Sequence, residues 1–347
     1  MRKILFLLII AAYFSSFSQD KEKQYKIATI AFYNIENVFD TIVDPDTNKI
    51  LQEDFTPKGP KNWTSEKYYK KLDNIAEVIS DIGTDKAKMP PAIIGISEIE
   101  NISVLQDLLA REKLKQYNYK IVHYDSPDKR GIDVGLLYRD DIFTLIDSKS
   151  YRLKIPEKPD FYTRDQLLVK GTIDNDTIFI IVNHWPSRRG GEKRSRPLRE
   201  AAARLSKSIV DSILSFNKEA KVIVMGDLND DPVNSSVKKY LKAKGEKDIA
   251  YDEMYNPMLS LYNKGIGSLA YRDNWNLFDQ IIMTKGLLGN YTDGYNFFKA
   301  HIYNKNYLKQ DSGKYKGYPK RTFVGDTFMG GYSDHFPSYI FLVKEIK

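Results

Sequence analysis

Val222-Ile223-Val224-Met225 is an apolar run that stops at Gly226 and gives way to Asp227-Leu228-Asn229-Asp230-Asp231-Pro232. A run this short and this apolar reads as a buried strand. A carboxylate and an amide directly past its end occupy the place where open α/β sheets carry their chemistry. In extended backbone, residues two apart point to the same side, so Asp227 and Asn229 face one target. Taken alone, the segment also fits a plain strand-to-loop turn, because Asp, Asn and Pro are turn formers.

The same arrangement recurs. Ile30 to Tyr33 runs into Asn34 and Glu36, Ile93 to Ile96 into Ser97-Glu98, and Phe179 to Val182 into Asn183-His184. Ser333-Asp334-His335 precedes a late strand. One polar strand tip is ordinary, but five carrying Asn, Glu, Asp and His point to one convergent site. Only four histidines exist, and two of them, His184 and His335, sit at these tips. Carboxylate and amide oxygens are hard ligands that suit Mg²⁺, with Mn²⁺ as the alternative, and argue against thiolate-rich or three-histidine zinc. Magnesium commonly takes one or two carboxylates, waters and substrate phosphate oxygens, so a phosphate ester is the expected substrate.

Between these tips, strand and helix patterns alternate without a repeat or low-complexity linker, which favours a single domain over residues 20–347. Strands are expected at Ile27 to Tyr33, Ala92 to Ile96, Tyr119 to Tyr124, Asp133 to Tyr138, Lys221 to Met225, Leu277 to Met283 and Phe336 to Val343. Leu167 to Ile173 and Thr177 to Val182 flank Asp174-Asn175-Asp176 as a hairpin. Ser65 to Ile82 reads as a helix with Leu72, Ile75, Ala76 and Ile79 on its core face. Val104 to Leu114 and Leu198 to Leu214 are further helices. Residues 40–63 read as a turn-rich surface insertion and 284–330 as long loops.

The start of the chain limits where it works. Met1-Arg2-Lys3 followed by Ile4 to Ala12 has the form of a secretory signal peptide over residues 1–19, with cleavage near Gln19. The apolar run is shorter than the roughly 20 residues that span a bilayer. The expectation is an exported, periplasmic or extracellular protein without stable membrane insertion, monomeric by default. Cysteine is absent, which excludes disulfides and thiolate chemistry.

Asn34-Ile35-Glu36-Asn37, Ser97-Glu98, Asn183-His184, Gly226-Asp227-Leu228-Asn229, Phe278-Asp279-Gln280-Ile281 and Ser333-Asp334-His335-Phe336-Pro337 follow one another in an order that resembles the endonuclease/exonuclease/phosphatase superfamily. That group includes pancreatic-type deoxyribonuclease, abasic-site endonucleases, neutral sphingomyelinases and inositol polyphosphate phosphatases. The segment His184 to Gly191 is similar to exported bacterial nuclease-like members. The resemblance spans about Ile27 to Val343. It implies an α/β fold, a four-layer sandwich of two mixed β-sheets packed face to face with helices outside. It also implies roles. Glu98 resembles the main metal-binding carboxylate, with Asn34, Glu36 and Asp334 around the ion. Asp227 would orient or deprotonate the attacking water, and Asn229 would donate to a phosphate oxygen. His335 would contact the scissile phosphate with Asp279 holding its tautomer, and His184 would donate to a non-bridging oxygen. Glu36 is one carbon longer than the Asp common at its position in abasic-site enzymes.

Charge narrows the substrate. The formal net charge is +7, and Arg188, Arg189, Lys193, Arg194, Arg196 and Arg199 cluster directly after His184. One reading is a phosphate clamp, with Arg188, Arg189 and Arg194 as its substrate-binding members. The other is a solvated basic loop leading into a helix. Tyr162, Arg164, Tyr271, Arg272 and Trp275 could add stacking and charge, as on nucleic acids. The expected function is a metal-dependent phosphodiesterase that hydrolyses DNA or RNA. The alternatives are a phosphatase or sphingomyelinase-like phospholipid phosphodiesterase acting on a phospholipid or inositol phosphate, and a non-catalytic binding module.

Overall fold

Alternating side chains along each long strand sort the apolar residues into three buried layers. In the strand Gln24–Val38, Ile30 and Phe32 enter one layer while Ala31, Tyr33 and Ile35 enter the next. In Lys221–Asp227, Ile223 and Met225 face the first layer, and Val222 and Val224 a third. Strands buried on both faces read as unbroken apolar runs, which is why these were visible in the sequence. Each such side chain contributes about 1.5–3 kcal/mol on burial. The molecule is described here by a computed structural model, over residues 23–46 and 49–346. The expected signal peptide at 1–19 lies outside the described residues.

The layers are built by two mixed sheets. The six-stranded sheet runs, edge to edge, Asn296–Ile302, Ser338–Ile346, Gln24–Val38, Ile93–Ile99, Asp133–Arg139 and Tyr119–His123. The seven-stranded sheet runs Phe143–Tyr151, Gln166–Ile173, Asp176–His184, Lys221–Asp227, Asp279–Thr284, Met254–Tyr255 and Ala243–Lys244. Each has a parallel pair near its centre, Gln24–Val38 with Ile93–Ile99 and Asp176–His184 with Lys221–Asp227. The inner faces pack on each other, with Phe32, Leu136, Val182, Met225, Ile281 and Ile340 in the shared core. Helices Ser65–Asp81 and Ile102–Leu109 cover the outer face of the first sheet, and Glu192–Phe216 that of the second. This is the four-layer sandwich. Among the described residues, no helix is long and apolar enough to cross a membrane.

Local signals set several boundaries. Thr64 and Asn101 accept from the backbone N–H groups of Lys67 and Val104, capping the two helices on the first sheet. Asp174 and Asn175 both have positive φ, 49° and 66°, the pattern of the two-residue turn that joins twisted antiparallel strands.

The structure differs from the sequence reading at five places. Within residues 284–330, Asn296–Ile302 is a strand at the edge of the six-stranded sheet. A register shift between Phe297 and Lys299 breaks its alternation and hid it. Phe143–Tyr151 is a strand on the edge of the other sheet, mostly exposed and therefore polar in sequence. Residues 40–63 are turn-rich but not merely superficial. Phe55 and Trp63 are buried, Phe55 stacks on Phe39 at 4.8 Å, and Trp63 Nε1 donates to Phe39 O at 2.8 Å. The helix expected from Leu198 starts at Glu192, carrying Pro197 in its second turn at the loss of one helical hydrogen bond. The helix expected to reach Leu114 ends at Leu109.

Candidate active site

Sheet register gathers the polar strand tips at one end of the sandwich. His184 stands opposite Asp227 across the parallel pair, and Asp279 opposite Asp227 across the antiparallel one. In the other sheet Asn34 stands opposite Ser97, one residue before Glu98. The two sheets meet where Asn34 Nδ2 donates to Asp227 Oδ2 at 3.1 Å. The loop before the last strand is drawn in by Ser333, whose Oγ donates to Asn34 O (2.7 Å) and accepts from His335 N (3.1 Å). Glu36, Glu98 and Asn229 hold left-handed φ values of 55°, 67° and 51°. Such backbone costs about 1–3 kcal/mol per residue and concentrates at functional sites.

Asp227 is the hub. Its Oδ1 accepts from Asn229 N at 2.9 Å, and its Oδ2 lies 3.5 Å from His184 Nε2. Burial, together with the nearby charge of Asp279, outweighs the pull of His335 and pushes its pKa up to about 6. His335 Nδ1 is 2.7 Å from Asp279 Oδ2, both buried. Burial alone would lower the His335 pKa, but the carboxylates of Asp279, Asp334 and Asp227 hold it well above the usual histidine range. These carboxylates favour the charged imidazolium, with Nδ1 facing Asp279 and Nε2 facing the site. His184 goes the other way. Burial, aided by Arg164 and Arg130, keeps it neutral.

Asp227, Asp279 and His335 offer donor atoms within 4.8 Å of one another. A protonated histidine is a hydrogen-bond donor rather than a ligand, so this trio is better suited to phosphate and proton chemistry than to caging an ion. Glu98 fits a cation better. Its Oε2 accepts from Asn37 N at 2.9 Å, while its Oε1 is 3.8 Å from His184 Nε2, beyond hydrogen-bond length. The Glu98 side chain keeps 12% of its surface exposed. The surrounding carboxylates and amides form a hard oxygen set. Asp334 is near as well, its Oδ1 3.9 Å from His335 Nε2 and its Oδ2 bound by Arg321 at 2.8 Å.

Glu36 is already engaged. Thr322 N donates to its Oε2 (2.6 Å), Arg321 Nε to its Oε1 (3.3 Å), and Lys71 Nζ lies 3.9 Å away. Lys71 is fully buried and donates to Thr322 Oγ1 and Tyr332 O. Sequence reasoning missed this clamp. Its one signal was a lysine on the apolar face of the helix Ser65–Asp81.

The basic run divides. Arg188 donates to Asn229 O at 2.9 Å and to Asp230 and Asn234, and its guanidinium covers the Phe278 ring at 4.4 Å. It braces the turn after Asp227, so its charge is not free for a phosphate clamp. Arg199 is buried against Asp230 at 2.8 Å, and Arg196 pairs with Glu192. Arg189 and Arg194 are exposed, and no contact among the described residues ties them to the catalytic cluster. Arg164 is no stacking platform. It is buried, donating to His184 O, Trp185 O and Asp128. Asn183 lies beneath the site, its Oδ1 accepting from Trp185 Nε1 and Ser206 Oγ.

Acid, amide and imidazole groups gathered at one end of a two-sheet sandwich form an arrangement suited to phosphate-ester hydrolysis. The sequence profile of the Endonuclease/Exonuclease/phosphatase family matches residues 29–344, and the chain belongs to that family. No curated protein sequence matches it. Among solved structures, truncated Caenorhabditis elegans TDP2 is similar in fold, with 14% identity and a TM-score of 0.54, over 91% of this chain and 97% of that one. An endonuclease/exonuclease/phosphatase family protein from Bacteroides thetaiotaomicron has 14% identity and a TM-score of 0.54, over 93% of this chain and 100% of the other. D. rerio TDP2 complexed with single strand DNA product has 13% identity and a TM-score of 0.54, over 91% and 98%.

Proposed function

We propose that this chain is an exported, metal-dependent phosphodiesterase that hydrolyses DNA or RNA. The observation that carries the proposal is the geometry at the site's centre, where buried Asp227 accepts from Asn34 Nδ2 at 3.1 Å and buried His335 is held by Asp279 Oδ2 at 2.7 Å. Burial pushes the Asp227 carboxyl up to about 6, which suits proton transfer at ordinary pH. Asp227 accepts the proton of the attacking water as that oxygen bonds to phosphorus and the ester P–O bond breaks, the leaving oxygen departing with the bonding pair and taking a proton from solvent. Asn34 holds the Asp227 carboxylate in place through its amide. His335 Nε2–H donates to a phosphate oxygen, and Asp279 keeps the ring oriented and charged. Asn229 spends one amide hydrogen on Trp185 O, which leaves the second for a phosphate oxygen. His184, held neutral, donates to the charge that develops on a non-bridging oxygen.

Glu98, with Asn34 and Asp334 beside it, would hold Mg²⁺ or Mn²⁺. When bound, the cation neutralises phosphate charge and makes a coordinated water more acidic. In this reading Glu36, engaged by Arg321, Thr322 and Lys71, positions the site wall instead of binding the ion.

The positive net charge and the fold shared with a protein described in complex with single strand DNA support a nucleic acid substrate. The test is a substrate panel of plasmid, RNA, sphingomyelin and a phosphoinositide, each with Mg²⁺ and with chelator. Plasmid or RNA hydrolysis that stops on chelation is the expected result. Lipid headgroup release without nucleic-acid cleavage would overturn the proposal, and binding without turnover of any substrate would identify a non-catalytic module. Export is tested separately, by whether the purified mature chain begins near Asp20.

A further inference from the structure

The hairpin Leu269–Tyr271 and Asn274–Asn276 and the loop that follows Leu308 enclose a cavity of about 490 Å³ beside the catalytic end. That volume lies within the roughly 300–1,000 Å³ range of small-molecule sites. Its walls include Tyr271, Tyr315 and Tyr318, with Arg272, Lys314 and Arg321 among them. Tyr271 is 63% exposed and Tyr315 50%, so these rings are not core residues. Exposed apolar surface gathered in one place marks a binding site.

Two chains of contact join the cavity to the catalytic groups. Arg321 lines it and reaches Asp334 and Glu36. Tyr318 packs on Trp275 at 5.8 Å, and Trp275 stacks at 6.0 Å and 14° on Phe336, the residue after His335. The wall is built in advance, because Tyr318 OH accepts from Asp273 N (2.8 Å) and donates to Asp273 Oδ1 (2.7 Å).

Charge selects the occupant. Arg272 lies over the Tyr271 ring at 5.2 Å and Lys314 over Tyr315 at 5.6 Å. An all-aromatic cage would favour the quaternary ammonium of a phospholipid headgroup. Arg321 is held by Glu36 and Asp334, but Arg272 and Lys314, against an Asp273 already engaged by Tyr318, disfavour such a ligand. They favour a planar base carried by an anionic backbone.

We propose that this cavity is a nucleobase subsite, in which the base next to the scissile phosphate stacks on the Tyr271 and Tyr315 rings while Arg272 and Lys314 supply positive charge to the backbone. This rests on the nuclease reading and goes further by naming what the enzyme recognises.

Tryptophan fluorescence tests it without turnover. Of three tryptophans, Trp63 and Trp185 are buried and Trp275 is 39% exposed. In chelator, oligothymidylate should quench Trp275 and bind roughly 5- to 150-fold more tightly than an abasic oligomer of equal length. Tyr271→Ala with Tyr315→Ala should remove that difference, and the matching Phe variants should restore it. Equal binding of the two oligomers, or a difference that survives the Ala pair, overturns the inference. Cleavage with Mg²⁺ separates the two claims. Equal hydrolysis of both oligomers keeps the nuclease and discards the subsite. Base-dependent quenching without hydrolysis of either, or of oligouridylate, supports the subsite and discards the nuclease.

Discussion

Removing one member of the Arg199–Asp230 pair should destabilise the protein far more than removing both. Neither side chain has exposed surface, and Arg199 Nε lies 2.8 Å from Asp230 Oδ1. The two are not aligned as a hydrogen bond, so the contact is essentially one of charge. At an effective dielectric of about 20, opposite charges about 4 Å apart attract by about 4 kcal/mol. Desolvation costs several kcal/mol per ion, so the intact pair contributes little, while either charge left alone costs about 3–5 kcal/mol. Arg188 Nη2 (3.1 Å) and Ser236 Oγ (2.6 Å) also reach Asp230 and still partner it when Arg199 is removed, which places Arg199→Met toward the lower end of that range. Urea unfolding of wild type, Asp230→Leu, Arg199→Met and the double variant measures the cycle at constant m. The double variant should lose less stability than either single one. Additive losses, or single-variant losses below about 1 kcal/mol, would refute the reasoning. The Asp230 carboxylate also braces the turn beyond Asn229, because its Oδ2 accepts from Ser236 Oγ at 2.6 Å. The stable double variant should therefore show a lower kcat with KM little changed.

Asp227→Asn and His335→Ala should each lower kcat by about 10²–10⁴-fold with the circular dichroism spectrum unchanged. Glu98→Gln should nearly abolish hydrolysis and weaken Mg²⁺ or Mn²⁺ binding measured by calorimetry, whereas unchanged binding would remove Glu98 from the metal site. The pH profile should fall on its acid side as Asp227 takes a proton near pH 6, with the limb moved lower once a nearby cation favours the charged form. Because Asp279 raises the His335 pKa, Asp279→Asn should move the alkaline limb to lower pH, and an unmoved limb would mean His335 is not the acidic donor. A Cβ on Gly226 would lie 2.2 Å from Asn183 O, so Gly226→Ala should cost about 1–3 kcal/mol or more, read as a drop in Tm.

Strands buried on both faces were legible because they are written as apolar runs. The polar groups at their ends were legible because hydrophilic residues interrupt those runs at the same point each time. That sufficed for Asn34, Glu98, His184, Asp227 and His335 as a set. It failed for Phe143–Tyr151, an edge strand with little to bury, and for Asn296–Ile302, whose register shift breaks the alternation. It also failed for the charged residues. In a sequence, a solvated arginine and a buried one look alike, so Arg164, Arg188 and Arg199 read as a binding face when each is an internal strut.

What the amino-acid sequence determined by itself was the local part, namely which segments bury which faces and which polar residues stand at their ends. Tertiary structure alone decided the partners. Sheet register set His184 and Asp279 opposite Asp227, and the meeting of the two sheets brought Asn34 to the same carboxylate. Burial periodicity is a short-range property of the chain, whereas pairing, desolvation and the pKa values they produce depend on residues far apart in sequence and adjacent only after folding.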